Sequence, residues 1–207
     1  MPLTKTDLPQ ITERALTLFR RQGYHRTTMA ELDAAGGLLK DSMYHHTPSK
    51  EALARAAMGH VHAAFRAEIF ALAYEDRPLA ECADRMVDAL RRSFLGRDDG
   101  CLMGNLVLEL IDAVPDFRPA LEAYFADWIA SLKHLFRRAA LSERDALAQA
   151  QDTLAAIQGG LLLLRVFKDP QPFLRATAAI AAIARTSQSQ SHKESPDGPA
   201  TPSPAPV

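Results

Sequence analysis

Apolar residues recur at helical spacing along most of this chain. Ile11, Ala15, Leu18 and Phe19 fall on one helix face, with Pro9 tolerable in a first turn and Gly23 as a stop. Thr28-Met29-Ala30-Glu31 has the form of a capping box. It predicts a short helix over 29–35, ended by Gly36-Gly37. A second short helix is expected over 40–46, and Pro48-Ser49 marks entry to a long one over 50–73. Further on, Leu79, Cys82, Met86, Leu90 and Phe94 share a face, 96–100 reads as a loop, and 101–111 is apolar almost all round, as in a buried central helix. Phe117, Leu121, Tyr124, Phe125, Trp128, Leu132 and Phe136 keep the period, and two last helices are expected over 143–167 and 172–185, separated by Asp169-Pro170.

Composition supports an all-α fold. The 207 residues include 63 Ala and Leu but only 13 Val and Ile, and β-branched side chains lose more freedom in a helix. Residues 187–207 break the pattern. They are rich in Pro, Ser and Gln, offer little to bury, and read as a disordered tail. The formal net charge is -1, without the basic excess many nucleic-acid binders carry. Residues 1–60 carry eight Lys/Arg and six Asp/Glu, and four of the seven histidines. The start is polar, with no signal-peptide stretch, and the longest apolar run, 161–164, is far short of the roughly 20 residues of a membrane span, so a cytoplasmic protein is expected. Two cysteines, Cys82 and Cys101, make no disulfide framework.

Two short helices around a Gly turn form the helix-turn-helix pattern, though a plain helical bundle has the same outline. The residues decide between them. TTMAELDAAGGLLKDSMYHHTPSKEAL, over 27–53, together with LTLFRRQGY over 16–24, resembles the DNA-binding domain of the TetR family of transcriptional regulators. GCLMGNLVLEL, over 100–110, resembles a segment common in one branch of that family. The resemblance implies an N-terminal three-helix helix-turn-helix DNA-binding domain over 1–50, a helical effector-binding and dimerisation domain over 51–186, and the tail over 187–207. It further implies a homodimer formed through helices 143–167 and 172–185, with Ala176, Ala179, Ile180 and Ile183 suited to close helix approach, either across that interface or inside one subunit. The expected partners are a double-stranded, palindromic DNA operator and a small-molecule effector that releases it. No membrane, metal or cofactor is expected.

A recognition helix reads base edges in the major groove while phosphate contacts set its register. The family positions near DNA are Lys40, Ser42, Tyr44 and His45, with Lys50, Thr27 and Thr28 at helix starts, where free N–H groups favour phosphate. Thr28 serves equally as a pure cap, and Tyr44 as packing against Phe19. The chain departs from the family where Leu39 replaces a Ser cap, Asp41 a Gly, and His46-Thr47 a Tyr-Phe pair. An expected effector pocket between the helices over 78–95, 101–112 and 117–138 takes Met86, Leu90, Phe94, Met103, Leu106, Tyr124 and Trp128, each of which suits plain core as well. His60 and His62, two apart, point to different sides and make no metal pair, and no catalytic motif occurs, so an enzyme is not expected. Two alternatives stay open. Cys101, at a helix start, could sense electrophiles or redox state, or be a buried apolar residue. The chain could also be a helical ligand sensor that has lost DNA binding.

Overall fold

The computed structural model describes residues 7–36, 49–96 and 100–191, which form α-helices and short 3-10 turns with no strand among them. The helices are α1 (Asp7–Gln22), α2 (Met29–Gly36), α3 (Lys50–Glu68), α4 (Leu79–Phe94), α5 (Leu102–Leu110), α6 (Arg118–Arg138), α7 (Glu143–Phe167) and α8 (Gln171–Ser191).

Local chemistry sets the ends. Gly23 takes φ +83 after α1, and its N–H donates to the Phe19 carbonyl. At α2 the Glu31 N–H donates to Thr28 Oγ1 at 3.2 Å, and the Thr28 N–H donates to Glu31 Oε2 at 2.8 Å, so the capping box closes in both directions. Ser49 and Ser142 cap α3 and α7 through the N–H groups of Ala52 and Asp145.

Two helices differ from the periodicity. The helix expected over 50–73 stops at Glu68, and a 3-10 turn (Phe70–Tyr74) follows. Ile69, Phe70, Leu72 and Ala73 would share one face of a continuous helix, and the tighter turn buries all four as well. Arg138 then collects the carbonyls of Ala73 (2.9 Å), Glu75 (3.3 Å) and Arg77 (2.6 Å), satisfying the irregular backbone. The final helix runs to Ser191, past Arg185 and into the stretch that reads as tail; 192–207 lies outside the described residues.

The larger domain packs around α6. Trp128, Tyr124, Phe65, Phe70 and Phe94 form one ring cluster, with centroids 5.5–6.3 Å apart. Helix α8 lies against α7 and α4. The α7–α8 crossing is close because Gly160 has no side chain; a Cβ there would sit 2.7 Å from the Phe173 Cα. Ile180, expected on a surface facing a second subunit, is instead fully buried inside this one, and Ala176, Ala179 and Ile183 are half-buried. The exposed apolar face lies on α7: Leu162, Val166 and Phe167 are 62%, 63% and 70% exposed. No helix among the described residues is long and apolar enough to cross a membrane.

Candidate functional site

Three of the expected DNA-contacting residues can be placed. Thr27 is fully buried, and its hydroxyl donates to the Gly23 carbonyl at 2.7 Å, so it stabilises the loop between α1 and α2 from within. Thr28 is exposed and caps α2. Lys50 opens α3, where its ammonium donates to the Thr27 carbonyl at 2.7 Å and the His25 carbonyl at 3.5 Å and sits 4.3 Å from the centre of the Tyr24 ring. Lys40, Ser42, Tyr44 and His45, like Leu39 and Asp41, lie outside the described residues.

The loop that carries Thr27 and Thr28 is held by the larger domain. Glu109, near the end of α5, accepts from the backbone N–H of Tyr24 at 2.8 Å and of His25 at 3.2 Å through one carboxylate oxygen. The His25 ring meets the Glu109 carbonyl at 3.1 Å. Gly23 permits this approach, because a Cβ at that position would meet the Glu109 carboxylate carbon at 2.9 Å. Tyr24 packs edge-on to Phe117, and its hydroxyl donates to Glu51 at 2.9 Å. Burial first, then the bond to Glu51, pushes the Tyr24 phenol well above its usual range. Arg55 adds a second link, donating to the Asp116 carbonyl at 2.9 Å. Periodicity does not flag Glu109. The available signal was chemical: it is the one charged residue in α5, which is otherwise apolar apart from Asn105.

An open cavity of about 530 Å³ lies between α5, α6 and α7, lined by Val107, Leu108, Ile111, Leu121, Phe125, Leu161 and Leu162, with Asn105, Glu122, Gln158 and Arg165 as its polar members; Leu108 and Leu162 stand largely exposed at its mouth. The volume suits a drug-sized ligand. None of the seven residues expected to form an effector pocket lines it. Met86, Leu90, Phe94, Met103, Leu106, Tyr124 and Trp128 are all buried in packed core. Phe94, Met103 and Tyr124 border only a void of about 10 Å³, room for about one water. The periodicity finds the inward helix faces, and those faces interlock. Space remains where side chains are missing, at Gly100 and Gly159, where a Cβ would meet nothing within 4 Å. The buried side-chain nitrogen of Gln158, beside this space, has no hydrogen-bond partner.

Cys101 caps α5, its sulfur accepting from the Gly104 N–H at 3.4 Å, and it borders both spaces. Burial pushes its thiol up, away from the reactive thiolate, against the opposing pull of the Gly104 N–H. The buried Tyr124 hydroxyl is likewise driven well above its usual range, first by burial and then by the neighbouring Cys101.

Comparison with known proteins decides the family. The model for "Bacterial regulatory proteins, tetR family" matches residues 11–57, and that for "Transcriptional regulator LmrA/YxaF-like, C-terminal domain" matches residues 77–179. The chain belongs to the TetR family of transcriptional regulators. As a TetR-family member it is a DNA-binding, helix-turn-helix regulator of transcription, in a family that is not enzymatic. It is 27% identical over 174 residues to the HTH-type transcriptional regulator LmrA of Bacillus subtilis (strain 168), covering 83% of this chain and 93% of that protein. A TetR transcriptional regulator from Legionella pneumophila has the same fold, with a TM-score of 0.77 at 20% identity over 88% of this chain and 98% of the other. NemR of E. coli in its reduced form gives 0.72 at 22% identity, over 84% of this chain and 95% of the other.

Proposed function

We propose that this TetR-family regulator is a repressor that binds a palindromic operator as a homodimer and is released by a small, largely apolar ligand. In this reading Lys40, Ser42, Tyr44 and His45 approach the major groove, and Thr28 and Lys50 sit at the helix starts that face phosphate. Lys50 already commits two of its donors to the loop, so its first task is to hold that loop, with phosphate attraction added to it.

One observation carries the reading: α5 lines the apolar cavity on one side and grips the loop of the DNA-binding domain through Glu109. A ligand in the cavity can act on DNA only by favouring one placement of α5 over another, and this contact turns such a shift into motion of the helix-turn-helix. The exposed apolar face of α7 supports dimerisation beside α8. The buried, raised thiol of Cys101 favours its capping role over sensing.

The test is a mobility-shift titration with DNA recovered by selection from random oligonucleotides, repeated with candidate apolar effectors. Retardation by wild type, weakened broadly in Tyr44→Ala and relieved by an effector, is expected. Unchanged binding in Tyr44→Ala together with an effector-blind complex contradicts the proposal.

A further inference from the structure

The wall of the apolar cavity carries one unpaired polar end. Gln158, on α7, lines the space, and its side-chain nitrogen is buried without a hydrogen-bond partner. Native interiors leave few such groups unpaired, because the water they give up has to be replaced. Gly104, on α5, gives the side chain room: a Cβ there would stand 2.9 Å from Gln158 Oε1. The Cys101 sulfur lies beside the amide, but it is a weak acceptor and already takes the Gly104 N–H at 3.4 Å. The other polar members of the lining are engaged elsewhere or stand toward solvent. Asn105 has its own partner, Glu122 pairs with Arg118 at 3.8 Å, and Arg165 is exposed.

We infer that the ligand of this site is a neutral, largely apolar molecule bearing a carbonyl that accepts a hydrogen bond from the Gln158 side-chain amide. The last torsion of a Gln side chain is broad, so a modest turn aims the amide into the cavity, and no bond to its nitrogen has to break. The apolar body then lies among Val107, Leu121, Phe125 and Leu161. A plain hydrocarbon fills that space but leaves the amide unpaired in a drier site, which is how a polar pocket rejects an analogue lacking the matching group. A carboxylate also accepts, but a single amide does not repay the desolvation of a full charge, and Glu122 borders the same space. The carbonyl end comes to rest against the first turn of α5, the helix whose other end grips the loop through Glu109. This inference rests on the reading of the cavity as an effector site, and names the class of ligand that site takes.

Two neutral fluorescent probes with the same aromatic frame separate the parts: Prodan, an aminonaphthalene that carries a ketone, and the analogue in which a methylene replaces that carbonyl. Wild type is expected to bind the ketone about three- to tenfold more tightly, the range of one neutral hydrogen bond. Gln158→Leu keeps most of the bulk and removes the amide. It should erase that preference and shift the emission of bound Prodan to the blue, with a melting temperature equal to or above wild type, since no bond of the Gln158 nitrogen is lost. Equal binding of the two probes by wild type, or a ketone preference that survives in Gln158→Leu, overturns the carbonyl inference while the apolar site stands. A Gln158→Leu chain that melts well below wild type shows the amide bonded within the fold, and overturns it too. If neither probe binds, the cavity is not an effector site and both readings fall.

Discussion

Thr28 and Glu31 each satisfy a backbone N–H at the start of α2. The Thr28 backbone N–H holds the Glu31 carboxyl below its ordinary value, helped by the Thr28 hydroxyl and by Gln22. A group depressed in this way stabilises the fold fully above its unfolded value, about pH 4.3, and loses that contribution as pH falls through the folded value. Thermal melts of Glu31→Ala should therefore lie below wild type at neutral pH, with the gap narrowing as pH falls below the ordinary Glu range. A gap that widens in acid would contradict the assignment. Cys101 gives a second prediction at this scale. Cys101→Ser keeps an acceptor for the Gly104 N–H, whereas Cys101→Val removes it at a cost of about 0.5–2 kcal/mol. Denaturant titration should separate the two. Under native conditions wild-type Cys101 should alkylate far more slowly than a free thiol, and rapid labelling would restore the sensing alternative.

Helices α7 and α8 cross where Gly160 meets the Phe173 backbone. Gly160→Ala gains helix propensity but drives a methyl into that backbone, so a net loss of about 1–3 kcal/mol is expected by chemical denaturation. Stability equal to wild type would show that the crossing is not tight. This scale also shows how much was legible in the sequence. The caps, the Gly stops and the period of α1, α4, α6 and α7 were readable because each rests on neighbours within a turn or two. The stop at Glu68 was not, because burying Ile69, Phe70, Leu72 and Ala73 together depends on what surrounds them. Nor was the cavity. Helical spacing identifies Met86, Leu90 and Trp128 as inward, but only the packed structure shows that they fill their space. Glu109 escaped for the same reason, since its partners are the amides of Tyr24 and His25, 85 and 84 residues away.

Across the whole molecule, the exposed apolar stripe of α7 and the α5 contact lead to separate expectations. Paired Leu163→Glu and Phe167→Glu place charge on a face that is 40% and 70% exposed in one subunit, so the fold should hold while sedimentation reports a monomer. A double variant that stays dimeric would move the interface elsewhere. The central claim is that two such subunits, joined, present two helix-turn-helix units to one duplex. Selection of bound sequences from a random DNA pool at low ionic strength tests it most directly. The account predicts enrichment of two-fold symmetric sites with half-sites spaced by about one helical turn or a multiple of it. No enrichment, or a lone asymmetric half-site, would contradict it.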